Sequence, residues 1–535
     1  MCSVLPPPNS CSVIAVSPAY HEFTKYAPET LATLSRQLDW SQQPSPFKTY
    51  PIGHSLELKS YLSSPAANPG DGERFLQRLS RLLHLSYGVT AIVPSERPII
   101  LRSAPSAGGL YPAELYVLSQ GNPGLPKGIY NYQALDHALL KYWDECNWST
   151  LLSACFVHPL LATAKVALVL TAVFQRSAWR YEDRAYRRLC LDIGHLLGNV
   201  ELAANMTGFR ASLIGEFQDA SIERLLSLDE QQEGTLAVLP LQDLLVSPSL
   251  QRYRLELAGI DGDGTYEQPT IQPKRGEWLQ VLHQHTRISP EVTTPQRTWK
   301  VCPSLPNTPD RSEPEGSDNP IDKYNFPFCD RIETQTVPIS WGEMLQPLAN
   351  TIMHRRSTRQ FTGGNIDIEH LRQLLDFAYQ TEHYRAQGLD PQPDFLATSM
   401  IETFVVANGI DGLDDGCYYY AARAQQLRQI RFKSFRRDIH YLCLGQDLGR
   451  DAAAAIVHTA DLKQAVQYYG DRGYRYLHMD AGHLGQRINL AAVRLQLGVS
   501  GVAGFFDNLV NEVLGIPSEE AVLYITTVGQ PRRLV

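Results

Sequence analysis

The chain repeats itself at a fixed distance. YEDRAYRRLCLDIGHLLGNVELAA at 181–204 returns as YYGDRGYRYLHMDAGHLGQRINLAA at 468–492. Tyr181 pairs with Tyr469, Asp183 with Asp471, Arg184 with Arg472, Tyr186 with Tyr474, Asp192 with Asp480 and His195 with His483, each 288 residues apart. The same distance pairs GLPKGIYNY (124–132) with GLDDGCYYY (412–420), and Glu216-Phe217 with Gly504-Phe505. A register held this far without drift is the mark of a duplication, two copies of one fold.

Each copy mixes helical spacing, in LQRLSRLLHLSYG (76–88) and IEHLRQLLDFAYQ (368–380), with strand-length apolar runs. The runs are ELYVLSQ (114–120) and VALVLTAVF (166–174) in one copy, ETFVVAN (402–408) and AVLYITTVG (521–529) in the other. The expected class is α+β: a mixed sheet flanked by helices, twice, forming a pseudo-dimer. The expected division is an N-terminal extension over 1–60, a candidate peptide-binding piece; a first domain over 61–250; a Pro-rich linker over 251–340; and a second domain over 341–535.

With 43% apolar and 19% charged residues, the composition is that of a soluble globular protein. A net charge of −8 argues against a nucleic-acid partner. Nine cysteines without a CxxC pair read as reduced thiols in the cytoplasm. The N-terminus has no basic region of a signal peptide, and VALVLTAVF is too short to span a membrane.

Two stretches could carry chemistry. In HRRSTRQF (354–361), Arg355, Ser357 and Arg359 alternate and would share one face of an extended segment, with Arg356 opposite. Guanidinium and hydroxyl donors suit a phosphate, though a solvated basic patch reads the same way. Asp367 would cap the helix that follows. In PSAGGLYP, Pro105, Ser106, Ala107, Gly108 and Gly109 would let backbone approach a planar ring, or simply turn the chain into a strand. It is neither a Walker loop nor GxGxxG. The repeat discriminates. The second copy has PDFLATSMIE where the first has PSAGGLYPAE, and the first has no arginines where the second has RRSTR. The basic end VGQPRRLV, with Arg532 and Arg533, falls against VLPLQDLLV. Each copy lacks what the other keeps, as expected of two halves of one composite site. Asp192/His195 and Asp480/His483, three apart on helices, read as buried polar pairs between the copies, with too few neighbouring ligands for a metal. Arg184, Arg187, Arg472 and Arg475 read as helix-face charges, and His283-Gln284-His285 as linker surface.

These motifs resemble the nitroreductase superfamily, in which FMN lies between two subunits. Arg355, Ser357 and Arg359 resemble its phosphate-binding RxSxR segment, and Pro105 to Gly109 its PSxG flavin loop. Ala503 and Gly504 in GVAGF resemble the loop beside the isoalloxazine, and Arg532 or Arg533 a late phosphate contact. PSAGGLYPAELYV, YGDRGYRYLHMDAGHLGQ and LDWSQQPSPFKTYP together resemble SagB-type azoline oxidases, most closely a cyanobactin oxidase. That resemblance implies FMN-dependent oxidation of peptide thiazolines or oxazolines to azoles, by proton abstraction and hydride transfer to flavin N5. An azoline-containing peptide is the implied partner, and pairing of chains into a homodimer stays open. The Lys-Tyr pair common in such enzymes reads Arg180-Tyr181 and Tyr468-Tyr469 here, so the lysine is missing. Tyr181 is the expected base, preferred over Tyr468 and Tyr469, with Arg180 lowering its pKa. An NAD(P)H-dependent nitro or quinone reductase and a non-catalytic peptide scaffold are the alternatives.

Overall fold

The computed structural model describes residues 13–33, 37–62, 69–95, 98–246, 252–256, 266–267, 273–289, 298–302, 322–324, 326, 329–393, 395 and 398–532. Strands β1 (His54–Glu57), β2 (Ala113–Ser119), β3 (Gly128–Gln133), β4 (Ala138–Trp143), β5 (Val166–Val173), β6 (Phe209–Ala211) and β7 (Glu233–Asp243) form a seven-stranded sheet, ordered β1-β4-β3-β2-β5-β7-β6. Strands β8 (Arg331–Glu333), β9 (Glu402–Ala407), β10 (Gly416–Ala421), β11 (Gln426–Arg431), β12 (Ala454–Asp461), β13 (Gly498–Val502) and β14 (Glu520–Gly529) form the other, ordered β8-β11-β10-β9-β12-β14-β13. The two orders are identical strand for strand. Pairings within both sheets run antiparallel, and short parallel pairings lie outside them, as between Ile366–Asp367 and Ile410–Asp411. The apolar runs expected as strands are β2, β5, β9 and β14. The buried ones sit mid-sheet, where both faces are covered, which is why they read as continuous apolar runs.

The helices that matter below are α1 (Ser17–Phe23), α2 (Asp71–Tyr87), α3 (Phe174–Tyr181), α4 (Ala185–Met206), α5 (Asp219–Leu225), α6 (Trp278–His285), α7 (Gln346–His354), α8 (Ile368–Tyr379), α9 (Leu462–Tyr469), α10 (Gly473–Arg494) and α11 (Asp507–Leu514). The two helices expected from spacing are α2 and α8. Asp367 caps α8 as expected, its carboxylate accepting from Glu369 N at 2.7 Å. None of the helices of the described residues is long and apolar enough to cross a membrane.

Helices α4 and α10 pack against each other at the centre and are buried on nearly every side. They cross at glycines: a Cβ on Gly194 would strike the Met479 carbonyl, and one on Gly482 the Leu191 carbonyl. These glycines are 288 apart, so the crossing is a pseudo-twofold axis. Tyr474 and Met479 join the first copy's core, and Leu191, Leu202 and Ala203 join the second's.

The arginines expected on helix faces are instead buried in ion pairs between copies. Arg184 and Arg187 each reach Asp507 at 2.7 Å, and Arg472 and Arg475 each reach Asp219 at 2.7 Å. Burying two guanidiniums on one carboxylate demands that geometry, and the duplication supplies it twice. The expected surface linker is also corrected around α6. Trp278, Leu279, Leu282 and His283 are buried, and Arg331–Glu333 is a strand of the second sheet. At the other end, β1 brings part of the expected front extension into the first sheet. Helices α1 and α6 occupy equivalent places. Asp471 accepts from Val16 N and Ser17 N at 3.0 and 2.6 Å; Asp183 accepts from Gly276 N and Leu279 N at 2.7 and 3.2 Å. His21 meets Tyr474 Oη at 3.0 Å, and His283 meets Tyr186 Oη at 3.3 Å. The segment around α1 thus returns as the segment around α6, 262 residues on.

Candidate functional site

Asp192, on α4, shapes the PSAGG loop. Its carboxylate accepts from Ser106 Oγ at 2.5 Å and from Ala107 N at 3.0 Å, while Tyr111 N donates to Ser106 Oγ at 2.8 Å. Burial pushes Asp192 up to about 7, against the lowering effect of those two bonds. Gly108 and Gly109 take φ of +66° and +67°, where side chains are strained. A Cβ on Gly108 would lie 2.7 Å from Tyr181 Oη and 3.2 Å from Arg180 Nη1, whereas one on Gly109 would meet nothing within 4 Å. One side of the loop is therefore packed and the other open.

Arg355 comes to this loop from the second copy. It directly follows α7, and its guanidinium donates to the carbonyls of Ser103 and Arg102 at 3.0 and 3.2 Å. Burial lowers its pKa to about 10, and the groups acting on it are Tyr111, Tyr524, Arg356 and Arg359, with no carboxylate among them. Its buried Nη1 has no hydrogen-bond partner among the described residues. Arg356 donates to Met353 and Arg355 carbonyls at 3.1 and 2.7 Å and to the first copy's Thr90 at 3.4 Å. Ser357 is half-buried and Arg359 exposed, so the expected common face is split between interior and solvent. Arg532 N donates to Gln360 O at 3.0 Å, which sets the exposed Arg532 beside Arg359. Arg533 lies outside the described residues.

Arg188, which sequence reasoning missed, joins the remaining parts. Its Nη2 donates to Ala503 O at 3.3 Å, its Cζ lies 3.8 Å from the Tyr181 ring centroid, and a Cβ on Gly504 would lie 3.6 Å from Nη2. Its Nη1 is buried without a partner among the described residues. Tyr26, also missed, lies half-buried between Arg184 and Arg188, their Cζ atoms 4.2 and 5.9 Å from its ring centroid. The repeat held a signal for Arg188: 288 residues on stands Tyr476, a cation replaced by a phenol between the matching Arg187/Arg475 and Leu189/Leu477.

Arg180 acts on Tyr181 in the expected direction. Burial raises the Tyr181 pKa, and the charges of Arg188 and Arg180 offset it only in part. Tyr181 is a phenol at neutral pH. Tyr468 and Tyr469 end α9, 58% and 40% exposed, on the other side of the pseudo-twofold axis. There Tyr476 and Phe395 stand at the positions equivalent to Arg188 and Ala107. Tyr476 Oη donates to Gly215 O at 2.9 Å, as Arg188 does to Ala503 O, and Phe395 is buried against His483 with ring centroids 6.2 Å apart. The expected Asp/His pairs also separate. Asp192 serves the loop, His195 bonds to Gln486 and Tyr524 at 3.1 and 3.0 Å, and His483 bonds to Glu201 at 2.8 Å.

Residues 76–241 and 352–530 each match the nitroreductase family, and the chain belongs to it. A crystal structure of a nitroreductase-like protein from Anabaena variabilis is 52% identical, covers 97% of this chain and 100% of its own, and superposes with a TM-score of 0.87. The nitroreductase-like protein MJ1384 of Methanocaldococcus jannaschii is 29% identical over 183 residues, 34% of this chain and 90% of its own. The microcin B17-processing protein McbC of Escherichia coli is 26% identical over 145 residues, 26% of this chain and 53% of McbC.

Proposed function

We propose that this chain is a cytoplasmic, FMN-dependent azoline oxidase of the SagB type, converting thiazolines or oxazolines of a ribosomal peptide to thiazoles or oxazoles in cyanobactin maturation. The observation that carries the reading is Arg355 of the second copy bonded to the backbone immediately before the first copy's PSAGG loop. That contact supports reading the two segments as halves of one site. The residues fit a flavin: the buried Arg355 Nη1, without a partner among the described residues, offers a donor to an anion, and the open side of Gly109 leaves room for a ring. Arg355, Arg356, Ser357, Arg359, Arg532 and Arg533 would hold the phosphate. Pro105, Ser106, Ala107, Gly108, Gly109, Ala503 and Gly504 would line the ring.

FMN supplies, when bound, a two-electron hydride acceptor. The buried charge of Arg355, with no carboxylate paired to it among the described residues, favours the phosphate dianion. Tyr181, held as a phenol beside Gly108, donates a hydrogen bond to substrate or cofactor and does not take up a proton. The likeness to a microcin-processing protein supports a peptide substrate. A visible spectrum of the purified protein and mass analysis of a synthetic thiazoline peptide after incubation test the reading. The expected result is a flavin spectrum and a loss of about 2 Da per ring, the proton and hydride together. An unchanged peptide, with bound flavin bleached by NADPH and reoxidised by a nitroaromatic, would place the chain among reductases instead.

A further inference from the structure

We propose that Tyr26, on the segment that follows α1, is the general base that takes the proton from the azoline ring. The inference rests on the oxidase reading above. It is drawn from a comparison of the two sides of the pseudo-twofold axis.

Tyr26 N donates to Asp507 Oδ2 at 2.9 Å, and its backbone bridges to Phe506 in the GVAGFFD loop. Its equivalent, 262 residues on, is Ile288, whose N donates to Asp219 Oδ2 at the same 2.9 Å. The scaffold therefore uses only the backbone at this position, and isoleucine serves on the other side. The Tyr26 phenol has only Ile288 as its counterpart, and Arg188 has Tyr476. The two neighbouring positions thus hold a phenol and a cation on the PSAGG side, and an aliphatic side chain and a phenol without the cation on the other. Shared scaffold duty does not account for that difference.

The surroundings favour a phenolate. Arg184 and Arg188 face the Tyr26 ring, with Arg187 behind them. Asp507 is the carboxylate paired with Arg184 and Arg187, so three guanidiniums stand against one carboxylate there. Asp192 lies beyond Arg188, and Tyr181 also faces the group. Burial, the largest single effect, raises the phenol, but the charges of Arg188, Arg184 and Arg187 and a hydrogen bond from Arg188 together leave Tyr26 lowered from its ordinary value. This is the effect the sequence led us to expect at Tyr181, displaced to the front segment. Tyr26 is half-buried, and Arg188 links it to Ala503 and Tyr181.

In the step proposed, the ring carbon next to the peptide carbonyl loses its proton to the Tyr26 phenolate oxygen. The adjacent ring carbon loses hydride, with its electron pair, to FMN. Two C–H bonds break, one C=C bond forms, the azoline is oxidised and the flavin is reduced.

The test uses the flavin-loaded full chain and its Tyr26→Phe and Arg188→Gln variants. Tyr26→Phe should keep its FMN and lower turnover of a thiazoline peptide by about 100-fold, the usual worth of a positioned base. Titration of the 295 nm phenolate absorbance should show one tyrosine that ionises below the bulk group in the wild type, absent from Tyr26→Phe. Arg188→Gln should move that ionisation, and the acid limb of the rate profile, to higher pH. Turnover of Tyr26→Phe within twofold of wild type, or an unchanged phenol titration, overturns the proposal and leaves the oxidase reading standing. A wild type that leaves the thiazoline untouched overturns the oxidase reading and this proposal with it.

Discussion

Asp192 shows how a single residue divides its duties. It carries the PSAGG loop through Ser106 and Ala107 from a fully buried place on α4, and burial raises its pKa to about 7. Between the ordinary carboxylate range and pH 7 the folded chain therefore holds a proton at Asp192 that the unfolded chain has released. Through this group, stability falls as pH rises across that window. Asparagine carries no such proton, so Asp192→Asn should flatten that part of the slope. The wild-type urea midpoint should fall relative to the variant's from about pH 4, the ordinary carboxyl value, up to about pH 7. Glu223 and Glu402 are also raised to about 7 by burial, but they titrate alike in both proteins, so the difference between the two slopes isolates Asp192. Midpoints that run parallel across the window would contradict the raised Asp192. At this scale the sequence displayed the candidate glycines and arginines, because each pattern is present in one copy and missing from the other. At Tyr181 it displayed the cation but not the burial that outweighs it, because burial is set by packing from distant segments. It hid Tyr26 for the same reason: Arg184 and Arg188 are more than 150 residues away along the chain.

At the scale of elements, the duplicated ion-pair triads fix how α4 and α10 meet the helices that begin at Asp507 and Asp219. Each carboxylate is buried between two guanidiniums, so removing its charge leaves like charges facing each other without water. Asp507→Asn should cost about 3–5 kcal/mol of stability, and Asp219→Asn a similar amount, read as a shift of the first urea transition. A loss below about 1 kcal/mol, the range of exposed pairs, would contradict the burial of these triads. The partners were legible in principle, since Asp219 and Asp507 keep the 288 register. The pairing of α1 with α6 was not. The register there shifts to 262, and of the nine positions from Val16 to Thr24 only His21 and Thr24 recur, as His283 and Thr286. Those two are the side chains that bond to the duplicated tyrosines and arginines; the others need only fill space, and many apolar residues do that. Lacking a shared register, the segment around α6 read as linker from its prolines alone.

The whole molecule is a pseudo-dimer that kept its symmetry in the framework and lost it around the candidate site. Sheet order, glycine crossing and ion-pair triads are the same on both sides. One side gathers Arg355, the PSAGG loop, Arg188 and Tyr26, and the other carries Tyr476 and the buried Phe395 at the positions of Arg188 and Ala107. A duplicated chain can hold two different sites, which a homodimer of identical subunits cannot. The composite arrangement was legible from complementary losses between the copies, whereas the burial of Phe395 required knowing which side chains turn inward. The most direct test is the flavin content per chain, measured by absorbance after denaturation, in the wild type, in Arg355→Ala/Arg359→Ala and in Gly108→Val. The account predicts one FMN per chain in the wild type, lost from both variants although their altered residues belong to different copies. Two FMN per chain, or full occupancy in either variant, would contradict it.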